Sequence, residues 1–280
     1  LLNPFGTSKI GVVCSKNQSR LKYNRQLEDG STIRGRFLVF GLSESKMVGL
    51  SKEQAERYNR LLFFPQVEDM LKFHVSGKNI EIGAPEVLNE NFVVFGVRAC
   101  DARSFELLDR VFLSEPVDPF YAARREHGTV VTLACNRPEE TCFCTNFGVD
   151  AANPAGDAAA WIVGDTMYLR ANTEKGEALL QGLEDADESA IVETQKEIRA
   201  ITEKLPFGKL NLTGFDGEHL MSKFSDPKWE SLSRACLGCG TCTFVCPTCQ
   251  CYDIRDYDTG HGVQRYRCWD SCMYSDFTLM

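Results

Sequence analysis

Cys236-Leu237-Gly238-Cys239-Gly240-Thr241-Cys242-Thr243-Phe244-Val245-Cys246-Pro247 decides how this chain is read. Its C-x2-C-x2-C-x3-C-P spacing lets three thiolates wrap one corner of a [4Fe–4S] cube. Gly238, Gly240 and Thr241 are small enough for the backbone to curl tightly and aim N–H groups at the sulfurs. A side chain at either glycine is expected to push the backbone off the cube. The fourth cysteine of such a run, here Cys246, reaches across to a second cluster. Pro247 then stops the helix and turns the chain away. A zinc knuckle is the competing reading, but it takes four ligands, usually as two separated pairs. A tripod followed by Cys-Pro fits that poorly. The run marks a protein that handles electrons.

Outward from the run, cysteines stay dense. Of thirteen, eight lie between 236 and 272: Cys236, Cys239, Cys242, Cys246, Cys249, Cys251, Cys268 and Cys272. Cys100, Cys135, Cys142 and Cys144 form a looser second group, and only Cys14 stands apart. Twelve grouped cysteines are the ligand count of three cubes, so two or three clusters are expected. Nothing reads as a secretory signal, so this cysteine load argues for metal ligation in a reducing cytoplasm rather than for disulfides. Leu1-Leu2-Asn3-Pro4 reads as a cut through a longer chain.

With 280 residues the chain has room for two domains, and its 43% hydrophobic and 25% charged content is that of a globular protein. A net charge of −8 argues against a nucleic-acid surface. No run approaches the roughly 18 apolar residues of a membrane span.

Short β-type runs at 10–13, 35–41, 92–97, 128–134, 161–163 and 167–169 alternate with helical patterns at 52–63, 101–112, 175–183 and 189–205. Ile191, Ile198, Ile201 and Leu205 make one apolar stripe. The acidic run 184–188 reads as a solvated loop. The expected fold is α+β: an α/β-like domain over 1–205, a linker over 206–228 rich in loop signals, and a helical ferredoxin-type iron–sulfur domain over 229–280.

Cys100 and Cys135 each fall where a predicted strand ends. Asp101 suits the N-cap of the next helix, whose N-terminus would lower the Cys100 thiol pKa. Cys142-Phe143-Cys144, if extended, puts two thiols on one side about 6–7 Å apart. Strand ends and loops converge at one edge of an α/β sheet. Four cysteines from three segments can thus close one [4Fe–4S] site; zinc, or plain burial of Cys100 and Cys135, are the alternatives.

The stretches Gly96-Val97-Arg98-Ala99-Cys100-Asp101-Ala102-Arg103, Ala134-Cys135-Asn136, Cys142-Phe143-Cys144, Pro247-Thr248-Cys249-Gln250-Cys251 and Trp269-Asp270-Ser271-Cys272 together resemble one family. It is the iron–sulfur β subunit of cytosolic nickel–iron (sulf)hydrogenases, grouped with the corresponding iron–sulfur component of anaerobic sulfite reductase. The resemblance implies several [4Fe–4S] clusters that connect a flavin-containing, NAD(P)H- or ferredoxin-linked subunit to a catalytic oxidoreductase subunit. It also implies a cluster on Cys100, Cys135, Cys142 and Cys144. Two departures matter. Ala99 stands where relatives carry proline, and the family's second C-x2-C-x2-C-x3-C-P run does not occur within these 280 residues. Where that run follows, Cys246 joins it and its last cysteine completes the site at Cys236, Cys239 and Cys242. Where it does not, the missing ligands come from Cys249, Cys251, Cys268 or Cys272.

His74, His127, His219 and His261 show no i, i+4 pairing, and no G-x-G-x-x-G or phosphate loop occurs. Arg98, Arg103, Arg124 and Arg125 read as a solvated surface more than as a dock for an acidic partner. The sequence expectation is therefore a non-catalytic electron-transfer subunit without flavin or nucleotide of its own. A zinc-stabilised scaffold and a self-standing flavin reductase are the competitors.

Overall fold

Phe92-Val93-Val94-Phe95-Gly96-Val97-Arg98 and Gly128-Thr129-Val130-Val131-Thr132-Leu133 are β-branched or aromatic on both faces, the composition of strands covered on both sides. They pair in parallel, from Phe92 opposite Gly128 to Arg98 opposite Leu133. The computed structural model describes residues 62–278 except 84–86, 88–90 and 165, and before residue 62 only the backbone of five strands. Residues 52–61 of the expected helix, and Leu1–Pro4, lie outside the described residues.

In chain order the strands are β1 (Ile10–Cys14), β2 (Arg25–Gln26), β3 (Thr32–Ile33), β4 (Phe37–Gly41), β5 (Val48–Leu50), β6 (Val67–Ser76) and β7 (Asn79–Gly83). There follow β8 (Phe92–Arg98), β9 (Gly128–Leu133), β10 (Ala158–Val163), β11 (Thr166–Ala171), β12 (Glu184–Ala186), β13 (Tyr252–Asp258) and β14 (Gly262–Trp269). The helices are α1 (Ala99–Phe112), α2 (Pro119–His127), α3 (Glu174–Leu180) and α4 (Ser189–Thr202), then the short α5 (Leu220–Lys223), α6 (Lys228–Ser233), α7 (Thr241–Val245) and α8 (Ser275–Thr278).

An eight-stranded sheet runs β12-β1-β11-β10-β9-β8-β4-β5. Its centre, β8-β9-β10, is parallel, and antiparallel strands finish both sides. Side chains alternate across it. Val94, Val97 and Val130 join Phe105, Leu108 and Phe112 of α1, while Trp161 packs with Ile191 and Ile198 of α4. Val93, Val131, Ala158 and Ala160 form the opposite face with Leu169. Of the predicted α4 stripe, Ile191 and Ile198 are buried, whereas Ile201 is exposed. The acidic run expected as a loop supplies the edge strand β12, since its backbone has β1 to pair with while its carboxylates stay at the surface.

The C-terminal segment departs from expectation. Where a helical domain is expected, α7 has only five residues, and the longest elements are the strands β13 and β14. Their period-two pattern and the left-handed Gly260 (φ +77°) make a hairpin, with Asp256 directly opposite Arg265 and paired to it at 2.7 Å. β14 also pairs with β6, so the sheet β13-β14-β6-β7 joins residues 67–83 to residues 252–269 across the expected linker. Trp269 enters the α1 core beside Phe64.

Arg267 of β14, 1% exposed, locks this junction. Its guanidinium donates to Glu68 of β6 and to Asp118, the residue capping α2, and lies over the rings of Phe64 and Tyr252. Arg124 of α2 reaches the same Glu68 at 2.9 Å. Charges this deep are tolerated because each meets a hydrogen-bonded opposite. Arg125 is likewise committed, to Asp109 at 2.7 Å, and Arg103 pairs with Glu106, so three of the four arginines read as a solvated surface have carboxylate partners.

Candidate metal centres

The first centre sits at the carboxyl ends of β8 and β9. Gly96, at φ +85°, makes a bulge where the register slips between Phe95 and Val97. α1 begins immediately after β8, with Arg98 as its cap residue and no side-chain cap bond. Cys100 is thus the second residue of the helix and Asp101 the third, a correction to the expected Asp101 N-cap. The expected lowering of the Cys100 pKa is also overturned. Burial pushes the thiol up to about 12, with the Asp101 charge adding to it and Arg98 opposing. Its exposed surface is cavity wall, so a crowded sulfur and an accessible residue are compatible.

Cys135 follows β9, its N–H bonded to the Ala151 carbonyl at 2.9 Å. Cys142-Phe143-Cys144 is not extended, contrary to expectation. Cys142 closes a turn in which the Glu139 N–H donates to its sulfur at 3.2 Å, and Cys144 opens a one-turn 3-10 helix to Phe147. Asn146 fastens that helix to the stretch read as a linker, donating to the Phe207 carbonyl at 2.6 Å and accepting from the Leu210 N–H at 2.7 Å. Proximity survives the changed geometry: Cys135 and Cys144 act electrostatically on Cys100, and Cys142 and Cys135 act on Cys144. All four line one cavity of ≈ 640 Å³ with Leu107 and Phe147.

Cys246, Pro247 and Thr248 line the same cavity. Sequence spacing gave no sign of this, because it depends on how the C-terminal segment packs on the sheet. Burial raises the Cys246 thiol pKa, but the Thr248 hydroxyl at 3.1 Å and contacts with Cys249 outweigh it, and the net shift is downward.

The second centre is local. Gly238 and Gly240 hold left-handed φ of +66° and +68°, and the Gly238 N–H donates to the Cys236 sulfur at 3.4 Å. A Cβ on Gly238 would meet nothing within 4 Å, whereas one on Gly240 would fall 2.5 Å from the Tyr274 hydroxyl. Crowding at Gly240 thus comes from Tyr274. Thr241 starts α7 and its hydroxyl lowers the Cys239 thiol pKa. Cys236, Cys239, Cys242 and Cys272 are exposed; Cys249 and Cys251 are half-buried. Cys268 lies in β14 opposite Asp253. The Cys272 thiol neighbours those of Cys251 and Cys242, and burial raises its pKa.

Among the described residues no three His, Cys, Asp or Glu converge tightly enough for a single metal ion. Four thiolates round one tetrahedral zinc stand about 3.8 Å apart, given a Zn–S distance of about 2.3 Å. A cube spreads its ligands over four irons and wants them wider. All-thiolate sets, with N–H groups aimed at sulfur, suit a cube.

These features define an iron–sulfur protein, and the match of residues 235–280 to the 4Fe-4S dicluster domain family agrees. Over 185 residues, 65% of this chain, it is 35% identical to the sulfhydrogenase 2 subunit beta of Pyrococcus furiosus. The chain spans about half (55%) of that curated relative's length. It is therefore similar to the iron–sulfur β subunits of (sulf)hydrogenases. No solved structure matches the chain. Among the described residues no helix is long and apolar enough to cross a membrane.

Proposed function

We propose that the chain is the electron-transfer subunit of an anaerobic, hydrogenase-like complex, set between a flavin-bearing partner and a catalytic partner. One observation carries this reading: Cys246, part of the iron–sulfur run, lines the cavity that gathers Cys100, Cys135, Cys142 and Cys144. Two thiol sets that share a wall suit relay better than two separate structural pins. Bound [4Fe–4S] clusters supply one-electron chemistry at potentials set by hydrogen bonds, charge and exposure. In this reading Cys100, Cys135, Cys142 and Cys144 hold one cluster, and Cys236, Cys239 and Cys242 hold three corners of another.

The chain's residues tune rather than transform. The N–H groups of Glu139 and Gly238 bond to sulfur and favour added negative charge at their sites. Within the tripod run, and in or capping the two short helices ahead of it in the chain, Leu237, Met221, Phe224 and Leu232 are 71–92% exposed, apolar side chains of the kind that partner subunits cover. Purification without oxygen, followed by iron, acid-labile sulfide, zinc and flavin analysis, tests the reading. Equal iron and sulfide, about four of each per cube, is expected, with brown colour bleached by dithionite. Zinc without sulfide would leave a scaffold instead, and a flavin retained by this chain alone would remove the need for a flavin partner.

A further inference from the structure

Two threonines of the run stand two residues after a cysteine, in Cys239-Gly240-Thr241 and in Cys246-Pro247-Thr248. Each brings its hydroxyl to that cysteine's sulfur, at 3.3 Å for Thr241 and 3.1 Å for Thr248. Their surroundings differ. Thr241 and Cys239 are exposed at the start of α7. Thr248 and Cys246 are half-buried and line the cavity that also holds Cys100, Cys135, Cys142 and Cys144. Leu107, Phe143 and Phe147 make other parts of that wall apolar. A hydrogen bond is electrostatically stronger in such a setting than in water.

Local chain geometry holds the Thr248 hydroxyl where it is. Cys246 ends α7 with an extended backbone (ψ 122°), the conformation a residue before proline prefers. Pro247 then takes the second place of a four-residue turn, which the Cys249 N–H closes onto the Cys246 carbonyl at 3.4 Å. Thr248 falls at the third place, and its short side chain folds back on the sulfur. A sulfur bound to iron is a thiolate and carries no proton. The hydroxyl must then be the donor.

Resting on the iron–sulfur reading above, we infer that the Thr248 hydroxyl raises the reduction potential of the cluster that Cys246 ligates, by donating to its sulfur. Reduction adds one electron to the cluster and breaks no bond, so negative charge on the sulfurs grows. A donor aimed at one of them therefore favours the reduced form. Thr248 is a positioning residue that acts through Cys246.

The test is an EPR-monitored redox titration of the anaerobically purified protein. Thr248→Val, which keeps the shape and removes the hydroxyl, should move the midpoint potential of one cluster to a more negative value. Iron, sulfide and far-UV circular dichroism should stay as in the wild type. Thr248→Ser should keep the wild-type potential. Thr241→Val should give a smaller shift, because its bond lies in solvent. Unchanged potentials in Thr248→Val overturn the inference, as does a Thr248→Ser protein that shifts as far as Thr248→Val. Loss of iron from both Thr248→Val and Thr248→Ala also overturns it, since Thr248 would then only hold the turn. A wild-type protein without acid-labile sulfide overturns the iron–sulfur reading itself.

Discussion

The two centres are built by opposite means. Cys100, Cys135, Cys142 and Cys144 are gathered by long-range folding, at the ends of two parallel strands and in the loop between β9 and β10, and three of the four are partly buried. Cys236, Cys239 and Cys242 are gathered by seven residues of chain and are exposed. Thiol chemistry follows: burial drives Cys100 and Cys144 up, while a neighbouring hydroxyl draws Cys239 down. In the site made by the fold, burial favours the protonated form of Cys100 and Cys144. In the site made by spacing, the Thr241 hydroxyl favours the Cys239 thiolate.

The largest effect that bears on this contrast is cluster loss. Cys242→Ala and Cys100→Ala should each remove about four irons per chain, from different sites, and their EPR spectra should be complementary. Identical residual spectra would mean the sets are one site. Next comes Gly240→Ala, which forces a left-handed alanine, costing about 1–2 kcal/mol, and drives a methyl into Tyr274. Thermal unfolding should show the loss, and adding Tyr274→Ala should return the steric part only. If Gly240→Ala is neutral, the tripod loop is not held as described.

The smallest effect is on pH. A raised pKa keeps a thiol protonated until pH nears that value, so in the metal-free protein Cys100 should alkylate only as pH approaches about 12. Cys239 should react at lower pH than Cys100, with its midpoint below that of an ordinary cysteine, and Thr241→Val should move that midpoint upward. Mass-spectrometric labelling across pH checks both. Equal profiles for Cys100 and Cys239 would erase the contrast.

What was legible in the sequence tracks the same division. The tripod was readable because its geometry is local, and the strand-end positions of Cys100 and Cys135 were readable because β8 and β9 are apolar on both faces. The hairpins β6-β7 and β13-β14 were missed: β13 carries charges such as Asp253, Arg255 and Asp256, of which Asp253 and Arg255 pair along the strand and Asp256 pairs with Arg265 across the hairpin. The place of Cys246 on the cavity wall depends on β14 pairing with a strand nearly two hundred residues earlier, which no spacing rule conveys.

The buried Arg267 has a consequence for how this molecule could be taken apart. Its carboxylate partners stand at positions 68 and 118, far upstream of the cysteine-rich tail. Severing the tail at residues 206–228 would leave Asp118 without its arginine and Glu68 with Arg124 alone, and would put the interior cation in the other piece, a loss of about 3–5 kcal/mol before any hydrophobic surface is counted. The tail is therefore no swappable cassette; a graft that carried it to a new host would have to bring its counter-charges along.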